Sequence, residues 1–208
     1  DAHSLDYMSN ADGDKNFYVV GRNTGIDIYY IDTDPALYVK RTLTPSFAGV
    51  YDSGNVWVTA HKDGHMVMTN GVDRPYMILQ GDPGAVDAVE LTGFTADPSL
   101  GLDNYLTCKS IIACRGLLVS GNIVCGTKGA APQMVAWSDR TDTGTIPGSW
   151  DYADPATLAG NVVLPADYGD IVALKEIRDE LMIYCERGAY RMQWVGGQYV
   201  FRIVPAYD

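Results

Sequence analysis

A chain of 208 residues, 47% hydrophobic and 20% charged, is long enough to bury a real core and is ordinary in composition for a globular protein. A formal net charge of -11 argues against a DNA-coating or membrane-surface role, since both need clustered Lys and Arg. No apolar run approaches the roughly 18 residues that a membrane-spanning helix requires.

Glycine recurs at short intervals, 22 times in all, and tyrosine, at 14 copies, outnumbers Phe and Trp together. Short apolar runs punctuated by glycine predict an all-β chain of antiparallel hairpins forming one domain over residues 1–208. The chain opens on Asp1 rather than Met, which fits processing or a fragment. Residues 10–14 have the flavour of a calcium loop. However, an EF-hand needs Gly where Lys15 stands and a bidentate Glu where Gly21 stands, so a solvated turn is expected. Residues 17–20 and 26–31 read as a strand pair around a turn at Gly21 to Gly25, and residues 32–35 as another solvated turn. A second pair, 55–61 and 65–69, flanks Lys62-Asp63-Gly64. Asp-Gly there is a strong hairpin signal, because a type I′ turn needs positive φ at both central residues.

A third pair is predicted from 109–120 and 122–126 with Gly121 at the corner, extended by 134–137. Residues 171–181 fit a helix or a buried strand. The strand is preferred, with Asp179-Glu180 as the turn into the next one, 181–185. A turn at 186–188 leads to a strand at 189–194, and residues 199–204 close the series. The turns near Asn23 and Asp63 lie about 40 residues apart, close to the length of a four-stranded propeller blade, and later turns are spaced more widely. Loops rich in Asp, Pro and Gly separate the pairs at 81–87, 95–103 and 138–155.

Cys108, Cys114, Cys125 and Cys185 match no zinc spacing and sit in apolar runs, so buried thiols are expected, with disulfides as the lesser alternative. Neither HExxH nor G-x-S-x-G occurs. Residues 121–128 have glycines at phosphate-loop spacing, but the final Thr-Lys order is reversed and the segment reads as a strand. His61 and His65 should flank a hairpin as solvated residues rather than share a metal. Glu186 and Arg191 could pair across their hairpin. Carboxylates are plentiful, but mostly in turns. No catalytic residue, cofactor or metal site is therefore assigned, and the chain is read as a non-enzyme.

From about His65 to Val204 an ordered series of blocks stands out: 69–75 (TNGVDRP), 113–122 (ACRGLLVSGN), 135–139 (VAWSD), 147–151 (PGSWD), 169–174 (GDIVAL), 181–192 (LMIYCERGAYRM) and 195–197 (VGG). The series resembles the β-propeller-like tail proteins of tailed bacteriophages, of the nozzle, tail hub and tail-stabilisation kind. The first 60 residues fit the blade rhythm but not the block series.

The resemblance implies a β-propeller-like fold, complete or partial, in a structural protein of the virion tail assembled in the host cytoplasm. It implies a homo-oligomeric ring that forms or closes the DNA channel during ejection and docks an adaptor or connector, fibres or spikes. DNA would pass without specific binding. Ring contacts would be heterologous, with the loops 81–87 and 138–155 as their seat. Trp150 and Trp137 are the expected anchors, as interface or core aromatics, with Asp82 and Pro83 beside them. The acidic excess would either repel DNA in a lumen or only keep the particle soluble. The alternatives are a virion receptor- or carbohydrate-binding β-module, to which the tyrosines would be suited, and a propeller-type glycoside hydrolase.

Overall fold

The computed structural model describes residues 2–9, 13, 15–22, 25–31, 38–43, 56–80, 87–91, 93–94, 105–126, 128–142, 144–197 and 200–206. Its regular structure is almost wholly β. Among the described residues the one helical segment is a 3-10 turn at Ala166–Tyr168, and no helix is long and apolar enough to cross a membrane.

Strands β1 (Ala2–Ser9), β2 (Asn16–Arg22), β3 (Gly25–Ile31) and β4 (Tyr38–Thr42) form the first sheet. The second holds β5 (Val58–Lys62), β6 (His65–Thr69), β7 (Tyr76–Ile78) and β8 (Val89–Glu90). The third holds β9 (Tyr105–Cys114), β10 (Leu117–Cys125), β11 (Gly129–Trp137) and β12 (Gly160–Val163). The fourth holds β13 (Ile171–Ile177), β14 (Glu180–Cys185), β15 (Ala189–Trp194) and β16 (Phe201–Pro205). Each is an antiparallel meander in which strand order follows chain order.

Turn chemistry explains where the chain reverses. Asp63 and Gly64 have φ of 50° and 86°, and Arg115 and Gly116 have φ of 51° and 83°. Two successive positive φ values match the right-handed twist of the flanking strands. At the end of β6 the Asn70 side chain accepts the backbone N–H groups of Val72 and Asp73, closing an Asx turn into β7.

The sheets stack in chain order with a core in each seam. Met8, Phe17, Val19, Ile26 and Ile28 of the first sheet meet Trp57, Met66, Met68 and Ile78. Ala60, Val67 and Met77 of the second meet Tyr105, Cys108, Ile111, Leu118 and Ile123 of the third. Val119 and Val135 of the third meet Ile171, Leu174, Leu181, Ile183 and Met192 of the fourth. β6 shows the logic: Met66 and Met68 point one way and Val67 the other, and all three are fully buried. At its centre β6, an inner strand of a middle sheet, is therefore continuously apolar, while β2, with one solvent face, alternates. Among the described residues the first and fourth sheets share no core cluster, and the stack of four sheets is not closed.

Polar pins cross the seams. Trp57 Nε1 donates to the Arg22 carbonyl at 2.7 Å. The Thr69 hydroxyl donates to the Cys108 carbonyl. The Leu174 N–H donates to Ser110 Oγ at 3.1 Å, and Asn122 Nδ2 donates to the Ile171 carbonyl at 2.8 Å.

Three expectations need correction. Gly121 is not a corner. It lies inside β10, where a Cβ would come within 3.1 Å of Ile171 Cγ2, so its missing side chain lets the fourth sheet approach. Asn122 beside it, at φ 57°, marks a register shift in β10, and the actual hairpin turns at Arg115-Gly116. The turn after β13 is Arg178-Asp179, with Glu180 already in β14. Arg191 lies opposite Met182 and points its guanidinium at Glu180, 3.8 Å away, not at Glu186.

All four cysteines are free and buried. Burial pushes the Cys108 thiol up to about 12 despite a hydrogen bond with Thr69. Burial, aided by Glu176 near Cys114 and by Asp170 and Glu186 near Cys185, raises those two as well. A thiol held protonated and out of solvent is a poor nucleophile. Ellman's reagent should therefore titrate all four thiols at once in denaturant and react only slowly in buffer, at a rate limited by opening of the fold. Rapid native reaction of any thiol would contradict this packing.

Candidate functional site

The loop expected to carry an interface is tied into the body of the protein. Ser138 is fully buried: its N–H donates to the Leu118 carbonyl at 2.9 Å, and its Oγ accepts the Leu118 N–H at 3.0 Å. The Asp139 carboxylate accepts from the N–H groups of Arg140 and Leu158. Gly93, at φ 71°, would place a Cβ 2.1 Å from the Gly148 carbonyl, so only glycine lets the loop lie this close.

This packing buries Trp150 completely. Its ring meets Phe94 edge-on, with centroids 4.8 Å apart at 86°, inside the core between the second and third sheets. Trp150 is thus a core residue of its own chain, and not the exposed anchor of the interface expectation. Its indole N–H is buried without a hydrogen-bond partner. Trp137 is half-buried. Its ring covers Gly160, its Nε1 donates to the Leu158 carbonyl at 2.8 Å, and it meets Phe201 edge-on at 5.3 Å. It also lines a hollow of about 550 Å³ with Tyr152, Asp154, Asn161 and Phe201. Asp82 and Pro83 lie outside the described residues. Asp87, the one described residue of the span 81–87, pairs with Arg41 of the first sheet at 2.7 Å.

The histidines flank the β5–β6 hairpin as expected, but neither is merely solvated. His61 Nε2 is 3.0 Å from the Asp6 carboxylate, which also accepts the Thr59 hydroxyl, across the first seam. His65 Nδ1 accepts the Gln80 N–H at 3.0 Å, which leaves Nε2 to donate to the Gly144 carbonyl at 3.1 Å. Among the described residues no three His, Cys, Asp or Glu side chains converge as a metal site would require. The 121–126 part of the glycine-spaced segment belongs to β10 and its turn, and Thr127 lies outside the described residues. The same holds for most of the calcium-like stretch, 10–14.

The sequence reading missed the two open sheet faces. On the first sheet, Tyr7, Tyr18 and Tyr29 stand in register across β1, β2 and β3. Tyr7 and Tyr18 are 48% and 45% exposed, and Leu5, one pleat along, is 71% exposed. Beside them Asp27 is almost fully buried. It is held by Arg22 Nε at 2.9 Å and Nη2 at 3.0 Å, by Lys40 at 3.0 Å and by the Thr42 hydroxyl at 2.7 Å. On the fourth sheet the outward face carries Lys175, Ile177, Glu180, Arg191, Gln193 and Arg202 around a buried Met182. Gln193 hydrogen-bonds Glu180, and a hollow of about 580 Å³ opens beside them. The signal for the first face was present in the sequence as Leu5, Tyr7 and Tyr18 at alternating positions.

Compared with known protein families and with curated proteins, the sequence matches none.

Trp150→Ala should cost about 3–5 kcal/mol in urea unfolding through the cavity it leaves. Trp150→Phe should cost clearly less, because it also deletes the unpaired N–H. A Trp150→Ala chain of undiminished stability would put the side chain outside the core.

Asp27 supports an acid-side prediction. Burial works to raise its pKa, but the Thr42 and Lys40 hydrogen bonds and the charges of Arg22 and Lys40 outweigh this and hold it below 3.8. A depressed folded pKa contributes stability that is present above 3.8 and lost as pH falls through the lower folded value. Asp27→Asn should lose about 1–3 kcal/mol at neutral pH. The gap from the parent chain should shrink in chemical denaturation below pH 3.8. A gap that does not change with pH would remove the ionised Asp27 network as its cause.

Proposed function

We propose that this chain is a non-enzymatic structural component of a bacteriophage tail. In this reading it is a nozzle- or hub-type element of propeller-like build that assembles as a ring, forms or closes the DNA channel and docks other tail parts. The observation that carries the reading is the repeated unit, four consecutive four-stranded meanders stacked face to face in chain order. That is how the blades of a propeller are made.

The residues that carry the resemblance support it, because they build hairpins rather than a cleft. Residues 69–75 make the turn from β6 to β7, 113–122 the β9–β10 hairpin, and 181–192 the β14–β15 hairpin. Propellers suit a mechanical role, since each sheet is held on both sides and load passes through packed cores. A net charge of -11 lets DNA pass without adhering.

One observation favours a second reading, a virion module that binds a receptor glycan. Tyr7 and Tyr18 present half-exposed rings on one face, with centroids 6.1 Å apart.

The test is light scattering and negative-stain imaging of the purified chain, with tail particles probed by antibody against it. A closed ring of fixed copy number at the tail is the expected result. A chain that stays monomeric at millimolar concentration and is absent from tail particles would overturn the proposal.

A further inference from the structure

Where β11 ends, the third and fourth sheets part around the hollow of about 550 Å³ that Trp137 lines. Trp137 and Asn161 reach it from the third sheet and Phe201 from the fourth. Tyr152, Asp154 and Thr157 reach it from the loop between β11 and β12. Its size falls in the range of about 300–1,000 Å³ usual for small-molecule pockets.

The walls are fixed before any ligand arrives. Asp151 and Asp154 fold the loop on itself, their carboxylates accepting the N–H groups of Ala153 at 2.9 Å and Ala156 at 2.8 Å. The Thr157 hydroxyl donates to the Asp151 carbonyl at 3.1 Å. Leu158 is held through both backbone groups: its N–H donates to the Asp139 carboxylate, and its carbonyl accepts Trp137 Nε1. Gly160 lets the Trp137 ring lie against the backbone, since a Cβ there would come within 2.4 Å of it. Phe201 stands edge-on to both Trp137 and Trp194, with centroids 5.3 and 5.4 Å away. A preformed wall has little ordering cost left when a ligand binds.

We propose that this hollow binds a neutral saccharide. The rings of Trp137, Tyr152 and Phe201 cover its C–H faces, and Asp154, Asn161 and the Tyr152 hydroxyl bond its hydroxyl groups. Such a site works in a ring or in a monomer alike, so it goes beyond the tail reading, and it lies on other sheets than Tyr7 and Tyr18.

Three observations select the ligand. The first is the set of free hydrogen-bonding atoms. Asn161 Nδ2 donates to the Tyr105 hydroxyl at 2.7 Å, which leaves Oδ1 without a partner among the described residues. The Tyr152 hydroxyl likewise has none there, and neither atom is sealed from solvent. Asp154 uses Oδ1 on Ala156 and keeps Oδ2 free. Two acceptors and one group of either kind match the hydroxyls of a sugar, which both donate and accept.

The second observation is the rings. Aromatic side chains around an open hollow leave apolar surface wet, and a ligand that covers it must not strand the polar atoms between them. A purely apolar ligand would strand Asn161 Oδ1 and the Tyr152 hydroxyl. A sugar carries C–H faces and hydroxyl edges on one ring.

The third observation is charge. Among the described residues no Lys, Arg or His lines the hollow, whereas Asp154 does. With a net charge of -11 on the chain, phosphate, sulfate and carboxylate ligands are repelled. A quaternary ammonium would be drawn to the rings and to Asp154, but it would leave Asn161 Oδ1 and the Tyr152 hydroxyl unpaired.

Titration calorimetry of the purified chain, with tryptophan fluorescence in parallel, takes as probes glucose, galactose, N-acetylglucosamine, maltose, lactose and cellobiose, and beside them choline and inorganic phosphate. At least one sugar should bind, and neither choline nor phosphate. Tyr152→Phe removes one hydroxyl and keeps the ring, so it should weaken that sugar about 10-fold. Tyr152→Leu removes the ring as well and should weaken it about 100-fold. Asp154→Asn keeps an acceptor oxygen and should change sugar affinity less than Tyr152→Phe does. Circular dichroism and thermal melting check that each variant is folded, and Tyr152→Phe carries the test if Tyr152→Leu is not. Silence of every sugar at millimolar concentration would overturn the site, as would binding of phosphate. Choline binding that Asp154→Asn abolishes would make it a cation site instead. Sugar binding that survives Tyr152→Phe unchanged and is lost in Tyr18→Ala would move the saccharide to the first sheet. A ring at the tail that binds no sugar would remove the site and leave the tail reading standing. A monomer that binds sugar through Tyr152 would do the reverse.

Discussion

Everything in this fold depends on the inner strands of the second and third sheets being packed on both faces. Val67 packs on the third sheet and its neighbours Met66 and Met68 on the first, so each position of β6 is committed to one seam or the other. A fully buried aliphatic side chain is worth about 1.5–3 kcal/mol, whereas one intramolecular hydrogen bond contributes about 1 kcal/mol net. The apolar seams therefore supply the stability. The polar pins do something different. Thr69 on Cys108, Ser110 on Leu174 and Asn122 on Ile171 each join a side chain to a backbone group of the adjacent sheet. A one-residue slip would flip the side chains of a strand to its other face. It would also leave these buried groups without partners, so the pins select the register that the aliphatic residues alone tolerate less strictly.

The all-β class and most hairpins were legible in the sequence for local reasons. Asp63-Gly64 and Glu186-Arg187-Gly188 form turns through their own chemistry, and the strands around them follow. Gly121 shows the limit of that logic. A glycine between two apolar runs reads as a corner, but here it is a place where Ile171 presses on the backbone of another sheet, a fact held by residues 50 positions away. The short strands β7, β8 and β12 carry too few residues to show a period, and their pairing partners are what make them strands.

The candidate site was less legible than the fold, and Trp150 explains why. A tryptophan in a loop rich in Gly, Pro and Asp reads as a surface anchor. Its burial is decided elsewhere, by Gly93 lacking a side chain where Gly148 passes and by Phe94 offering a ring edge. Tyr7 and Tyr18 are the converse case. Their alternation looks the same as that of any half-buried strand, and nothing local says that their sheet is an end sheet. Position within the stack, not residue type, makes one aromatic row a core and another a surface.

The same reasoning separates the loops from the faces as places of interaction. His65 bonds Gln80 with one ring nitrogen and Gly144 with the other, and Arg41 holds Asp87. The first tether holds the 138–155 loop to the second sheet and the second holds Asp87 to the first sheet, and a group engaged in this way is not left to offer a partner. An open sheet face has the opposite character. Its backbone is already satisfied by its own ladder, its side chains are held in register by the strands, and Asp27 is prearranged among Arg22, Lys40 and Thr42 before any contact forms. Ordering cost is what most reduces the affinity of a surface for its partner, and a preformed face has little of it left to lose. The rigidity that the buried middle sheets impose is therefore carried outward to the ends of the stack, where it can serve association.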